Sequence, residues 1–193
     1  KMHKAIAIIR FKLEGQLIKK HPEYGMDNRL LLDYIDYEKG TIDIDGKTYK
    51  LLDTYFPTID PADPYRLTDE EDEVIQRLRS SFIHCEKLTT HVKLLLKKGS
   101  MYKVYNGNLL FHGCIPMEKD GSFAKVNIYG KEYSGKALFD ILETYVRKAF
   151  FSTDPDEKEK GRDIMWYIWL SENSPLFGKD KMATFERYFL AEK

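Results

Sequence analysis

The sequence has 193 residues, of which 42% are hydrophobic and 32% are charged. This composition excludes a disordered chain and a small disulfide scaffold, and the length suits one or two folded domains. Lysine plus arginine and aspartate plus glutamate each number 31, so no net charge favours binding to nucleic acid or to an anionic membrane surface.

The sequence has neither a membrane span nor a signal peptide by pattern. No apolar run approaches the roughly 18 residues that a span needs, and no charged start precedes an apolar core. Cys85 and Cys114 lie far apart in a chain without secretory features, which favours reduced thiols and a cytoplasmic location. Because the sequence opens on Lys1-Met2 and ends on a helical pattern, we expect it to be a piece of a longer chain.

The first third of the sequence predicts a helix, a hairpin and a connector. Residues 3–20 have the spacing of an amphipathic helix, whose predicted apolar face consists of Ile6, Ile9, Leu13 and Leu17. Asp45-Gly46 predicts a type I′ hairpin turn, because both residues tolerate positive φ. An extended connector is then predicted from three prolines, Pro57, Pro61 and Pro64.

The middle of the sequence predicts a helix followed by a second hairpin. Thr68 and Glu71 have the spacing of a capping box, which marks a helix start. The helix either ends near Arg79 or continues to Lys98, where two lysines and Gly99 form a stop signal. Asn106-Gly107 then predicts a hairpin whose second strand leads directly into His112.

The last third predicts one strand and three helices. A strand over 124–129 precedes a helix over 135–151 with Ser134 as its cap, and Asp154-Pro155 begins the next helix. That helix is predicted to be buried through its apolar residues, which are Met165, Trp166, Ile168, Trp169 and Leu170. A final helix is predicted over 179–191. The fold class is therefore α+β, helix-dominated with β-hairpins, divided into residues 1–66 and 67–193.

Two patterns suggest ligand sites but are explained without them. Residues 130–137 fit the spacing of a phosphate-binding loop, but Ala137 stands where such a loop has the serine or threonine that holds magnesium. Two glycines in turns and a serine that caps a helix account for the same residues without a ligand. His84 and His91 share one face of the predicted helix, yet seven residues separate them by roughly 10 Å, too far for one metal without a third element.

Other candidate residues do not define a catalytic or binding site by their sequence pattern. Cys114 lacks a recognisable histidine and aspartate partner for nucleophilic catalysis. Four lysines near turns could reach a phosphate by charge, but surface lysines alone do not define a site; they are Lys98, Lys103, Lys131 and Lys136.

His112 is the strongest single candidate. It ends an apolar strand and precedes Gly113, so the chain can turn sharply while the imidazole projects from the sheet edge. A lone histidine at a strand end is more often structural than catalytic, so its context decides the interpretation.

That context comes from a resemblance along essentially the whole chain. The sequence resembles the middle of the bacterial class III fructose-1,6-bisphosphatases at residues 12–16, 29–33, 37–42, 52–54, 56–60, 98–102, 105–110, 112–117 and 131–136. These enzymes resemble calcineurin-like metallophosphoesterases, whose two-metal centre uses Asp-x-His, Gly-Asp-x-x-Asp, Gly-Asn-His-Asp, a lone His before Gly, and a final Gly-His. Only the lone histidine motif has a match here, at Phe111-His112-Gly113.

The resemblance implies an internal segment of a metallophosphoesterase-like α/β sandwich with an inserted helical region. It implies hydrolysis of fructose 1,6-bisphosphate by the whole enzyme, manganese as the metal and His112 as one ligand, with no nucleic-acid or membrane partner. One ligand does not hold a metal, so we expect this chain alone to be inactive. The alternative is a noncatalytic helical interaction or homo-oligomerisation module, built on a cluster of Trp166, Tyr167 and Trp169.

Overall fold

A computed structural model describes residues 2–178 and 183–192. The chain forms two compact units, one of Lys1–Arg77 with Lys181–Lys193 and the other of Leu78–Asp180. No helix within the described residues is long and apolar enough to cross a membrane. The assignment of domains to 1–66 and 67–193 stays a prediction.

Helices dominate the described residues, as the sequence predicts. In chain order they are α1 (Met2–Lys20), α2 (Asp69–Ile83), α3 (Glu86–Lys98), α4 (Gly135–Phe151), α5 (Pro155–Leu170) and α6 (Ala183–Phe189). Short 3-10 turns occupy Pro22–Tyr24, Asp27–Arg29 and Leu31–Tyr34. The predicted start of the last helix, residues 179–182, lies outside the described residues.

The strands form three small antiparallel sheets. They are β1 (Ile35–Asp36), β2 (Thr41–Ile44), β3 (Lys47–Lys50), β4 (Tyr102–Tyr105), β5 (Asn108–Phe111), β6 (Val126–Ile128) and β7 (Lys131–Tyr133). Strands β1, β2 and β3 make one sheet, while β4 pairs with β5 and β6 pairs with β7. The α+β class is thereby confirmed.

The predicted hairpin turn between β2 and β3 and the predicted capping box of α2 are both present. Asp45 and Gly46 have φ values of 52° and 75°, as the type I′ turn between β2 and β3 requires. The capping box at the start of α2 is present, because the Thr68 N–H donates to Glu71 Oε2 and the Glu71 N–H donates to Thr68 Oγ1. The proline-rich connector carries no helix or strand.

Helix α1 has the predicted bounds, but its predicted apolar face is only partly confirmed. Ile9 and Leu17 are buried as predicted, whereas Ile6 is exposed. Lys12 and Glu14 are buried although they are charged. Lys12 Nζ donates to Glu71 Oε2 at 2.7 Å and also to the Thr58 carbonyl, so its charge is satisfied inside the first unit. The apolar pattern does not predict these two positions, because a charged side chain can be buried where an ion pair satisfies it.

The helix that begins after Thr68 neither ends near Arg79 nor continues unbroken to Lys98, so both predicted alternatives are wrong. Helix α2 ends at Ile83, and Cys85 takes an extended conformation that starts α3. The His84 ring lies 2.8 Å from the Ser80 carbonyl, close to the last turn of α2. His84 and His91 therefore do not share one helix.

The C-terminal prediction was partly right. Strand β6 is shorter than predicted, and β7 was missed because Tyr129 adopts a positive φ of 50° in the turn before Gly130. Helix α5 is continuous through Gly161, where a Cβ would lie 2.5 Å from the Tyr145 carbonyl of α4. Met165 and Trp169 are half exposed, so α5 is buried on one side only.

Candidate metal-ligand site at the end of a hairpin

The candidate site lies at the end of the β4–β5 hairpin in the second unit. Asn106 and Gly107 both have positive φ, 48° and 76°, so the predicted type I′ turn is present and sets the register. Tyr102 pairs with Phe111 across the two strands. His112 follows the last residue of β5 and is exposed. The structure thus places this histidine where the sequence predicted it, beyond a strand end and open to solvent.

A distant segment fixes the backbone just after His112. A Cβ on Gly113 would lie 2.4 Å from the Pro175 carbonyl oxygen, so only glycine allows this approach. The Cys114 N–H donates to the same carbonyl at 3.0 Å. Ser174, fully buried, holds that segment by donating from Oγ to the Ile168 carbonyl. His112 therefore stands on an anchored backbone, which is suitable for a ligand that must hold its position.

Polar contacts tie the entrance of the hairpin to α4. Glu143 Oε2 accepts from the Met101 N–H at 2.9 Å and from the Ser100 hydroxyl at 2.8 Å. Arg147 donates to Glu143 and to the Gly99 carbonyl. Burial acts to raise the pKa of Glu143, but these hydrogen bonds outweigh it and hold the pKa below its ordinary value. The carboxylate stays ionised and fastens the chain between α3 and β4.

A second contact joins β4 to the second turn of α4. The Tyr102 hydroxyl donates to Asp140 Oδ1 at 3.0 Å, and Lys136 forms an ion pair with the same carboxylate. The hydrogen bond from Lys136 holds the pKa of Asp140 below its ordinary value. Of the four lysines considered for phosphate, Lys136 therefore already has an anionic partner.

One face of the hairpin and α4 enclose an apolar cavity of about 300 Å³. It is lined by Tyr102, Val104, Leu109, Phe111, Ile115, Phe123, Gly135, Lys136 and Phe139. The rings of Tyr102 and Phe111 meet Phe139 edge to face. This cavity was not predicted from the sequence, although residues 102 and 104 of β4 and residues 109 and 111 of β5 alternate so that they lie on one face of the hairpin.

The described residues contain no cluster of three or more His, Cys, Asp or Glu side chains that could hold a metal. His112 therefore belongs to no such cluster within the described residues. The glycines of the phosphate-loop pattern have structural places, because Gly130 is in the β6–β7 turn and Gly135 begins α4. Ser134 precedes α4 as predicted, but its side chain makes no capping hydrogen bond.

Comparison with known proteins identifies the relatives of this chain. The sequence model described as "Firmicute fructose-1,6-bisphosphatase" matches residues 1–193. Proteins named "Fructose-1,6-bisphosphatase class 3" are 59% identical in Clostridioides difficile, 56% in Clostridium novyi and 53% in Listeria monocytogenes, over the whole of this chain.

The chain spans only 29–30% of the length of these relatives. No solved structure is significantly similar to it. The matched span and the level of identity show that the chain belongs to the Firmicute fructose-1,6-bisphosphatase family.

Proposed function

We propose that the chain is a segment of a class 3 fructose-1,6-bisphosphatase, which hydrolyses fructose 1,6-bisphosphate to fructose 6-phosphate and phosphate. The proposal rests on the anchored, exposed His112 within a chain that aligns from end to end with proteins of that name. The reaction serves gluconeogenesis, and we place the enzyme in the cytoplasm. The substrate is a sugar bisphosphate, with no nucleic-acid or membrane partner.

The residues of this chain fit a metal only in part. An exposed imidazole on a fixed backbone suits one ligand position, but the described residues contain no cluster of three or more potential ligands that includes it. A divalent metal pair, for which manganese is our choice, supplies a nucleophile from water near neutral pH when bound. In this proposal the remaining ligands come from parts of a longer polypeptide, within a metallophosphoesterase-like α/β sandwich.

The exposure of His112 favours the enzyme over the helical interaction module. A structural histidine would pack among the aromatic side chains of the second unit, whereas this imidazole remains open to solvent. Tyr167, one of the three residues suggested for the module surface, is instead fully buried. The surface required by that alternative is therefore reduced to the two tryptophans.

The test compares His112→Asn with His3→Asn in the longer polypeptide that carries this sequence. His3 is also exposed but lies in α1 of the first unit, so it is a matched control. Loss of one ligand should lower phosphate release by at least about 100-fold and reduce bound manganese per chain, since even indirect support of a ligand is worth about 10–100-fold. Equal activity and manganese content in the two variants would refute the role of His112.

A second measurement addresses the segment itself. The 193-residue chain, titrated calorimetrically with manganese and assayed for phosphate release, should show neither tight binding nor turnover. Turnover by this chain alone would overturn the expectation that the active site needs residues outside it.

A further inference from the structure

Ser174 lies in a short segment that follows α5 in the second unit. Its side chain is completely buried, although the segment contains no helix or strand. The hydroxyl donates to the Ile168 carbonyl in the last turn of α5, and it accepts from the N–H groups of Leu176 at 3.1 Å and Phe177 at 3.3 Å. A serine hydroxyl has one donor and two acceptor sites, so all of them are occupied here.

The hydrogen bond from Leu176 fixes the direction of the Pro175 carbonyl. The Leu176 N–H and the Pro175 carbonyl belong to one planar peptide group, so holding the first orients the second. The Pro175 ring restricts its own φ, and its side chain is also fully buried. The Ser174 hydroxyl therefore determines where this carbonyl oxygen points.

The Pro175 carbonyl contacts the backbone that carries His112. It accepts from the Cys114 N–H at 3.0 Å, and a Cβ on Gly113 would lie 2.4 Å from the same oxygen. The Cys114 thiol donates to the Ser174 carbonyl at 3.4 Å. The two residues that follow His112 are thus held against the segment that Ser174 organises.

We infer that Ser174 is a positioning residue for His112. The inference rests on the proposed function, in which the imidazole ligates a metal. The hydroxyl orients the Pro175 peptide group, the carbonyl of that group holds residues 113 and 114, and this backbone sets the direction in which the imidazole leaves β5. A functional side chain must be held to within about 0.5 Å of its productive position, so a shift of this carbonyl should be felt at the metal.

The alternative is that Ser174 only stabilises the end of α5, and Ser171 separates the two roles. Ser171 is also buried and is the C-terminal cap of α5. Its hydroxyl accepts from the Asn173 N–H at 3.1 Å. Ser171→Ala therefore removes a buried hydroxyl from the same segment and leaves the hydrogen bond between Ser174 and Leu176 in place.

Amide hydrogen exchange in the 193-residue chain tests the structural step. The Cys114 N–H reports the position of the Pro175 carbonyl because it donates to that oxygen. Relative to the amide of the buried Leu142, which reports global unfolding, the Cys114 amide should exchange at least about tenfold faster in Ser174→Ala and change little in Ser171→Ala. Equal relative rates in the two variants would overturn the inference without any reference to the metal.

Manganese binding in the longer polypeptide tests the step toward the metal. The dissociation constant, measured calorimetrically, should rise by about 10–100-fold in Ser174→Ala and stay near the parent value in Ser171→Ala. Excess manganese should restore phosphate release in Ser174→Ala, whose imidazole remains, and not in His112→Asn. Gly113→Ala crowds the Pro175 carbonyl from the other side and should weaken manganese binding in the same way, which keeps the test open if Ser174→Ala folds poorly.

The variants separate failure of the inference from failure of the proposed function. If His112→Asn weakens manganese binding and Ser174→Ala does not, the inference is overturned and the proposed function stands. If neither variant weakens it, the role of His112 is refuted and the inference falls with it. Equal weakening in Ser174→Ala and Ser171→Ala would reveal a purely structural segment, and weakening in Ser174→Ala without an effect of His112→Asn would mean that the serine acts through another residue; either result would overturn the inference.

Discussion

Helices α1 and α3 show opposite relations between sequence pattern and burial. The predicted apolar face of α1 includes the exposed Ile6, and the helix nevertheless buries Lys12 and Glu14. Helix α3 has a regular apolar stripe and buries nothing. A hydrophobic pattern therefore reports which side of a helix can be covered, whereas burial depends on whether a partner is present.

The buried ion pair of α1 gives the largest predicted effect. Lys12→Met removes the ammonium group that donates to Glu71 and Thr58, and leaves a buried carboxylate without its cation. We expect a loss of about 3–5 kcal/mol in the free energy of unfolding, measured by urea denaturation. The control is Arg77→Met, whose pair with Glu73 is exposed and should matter little. Equal stability of the two variants would show that the burial of Lys12 does not anchor α1.

A pair of leucines sharpens the contrast within the second unit. Leu142→Ala in α4 removes a completely buried side chain and should cost about 2–5 kcal/mol. Leu95→Ala in α3 removes an exposed one and should change the unfolding free energy of the 193-residue chain by less than about 0.5 kcal/mol. A large cost for Leu95→Ala in this chain would mean that α3 already has a packing partner.

Two buried carboxylates of the first unit should respond to pH with opposite sign. Burial raises the pKa of Glu14 above its ordinary value of 4.5, and the nearby Arg10 and Arg29 only partly oppose this. A carboxyl group with a raised pKa stabilises the folded state at pH values below 4.5, and this stabilisation is lost as the pH rises through the pKa of the group in the folded state. Glu14→Gln removes that loss, so the variant should gain stability relative to the parent as pH rises above 4.5.

Glu71 provides the comparison for Glu14. Burial acts to raise its pKa, but hydrogen bonds from Lys12, Thr58 and the Thr68 N–H outweigh this and lower the pKa below 4.5. The Glu71 carboxylate stabilises the folded state at pH values above 4.5, and this stabilisation is lost as the pH falls through the pKa of Glu71 in the folded state. Glu71→Gln should therefore be most destabilising near neutral pH. Urea denaturation from about pH 4 to about pH 8 measures both variants, and parallel curves would contradict the assignment.

Much of the local structure was predictable from the sequence, because its causes lie within a few residues. The two type I′ turns, the capping box and the strand leading to His112 all depend on short-range chemistry. Strand β7 was missed since Tyr129 is an unusual residue for a turn with positive φ. Nothing in the pattern of α1 indicated that Lys12 would be buried, because its partners lie 46 and 59 residues away.

Some features of the candidate site could likewise be predicted from neighbouring residues, whereas others depend on residues far away in the sequence. The position of His112 after a strand could be read from the sequence, but the approach of Gly113 to Pro175 could not, since 62 residues separate them. The apolar cavity also depends on α4 meeting the hairpin from a distance in sequence. The role of His112 as a metal ligand stays a prediction, with its test in the His112→Asn variant.

The smallest predicted effect separates two helix caps that look alike in sequence. Asp154 Oδ1 accepts from the N–H groups of Asp156 and Glu157 at the start of α5. Ser134 occupies the same place before α4, but its side chain makes no capping hydrogen bond. Asp154→Ala should therefore cost about 1 kcal/mol in unfolding free energy, whereas Ser134→Ala should be close to neutral. Urea denaturation of both variants measures the difference, and equal costs would mean that α4 gains as much from its serine as α5 gains from its aspartate.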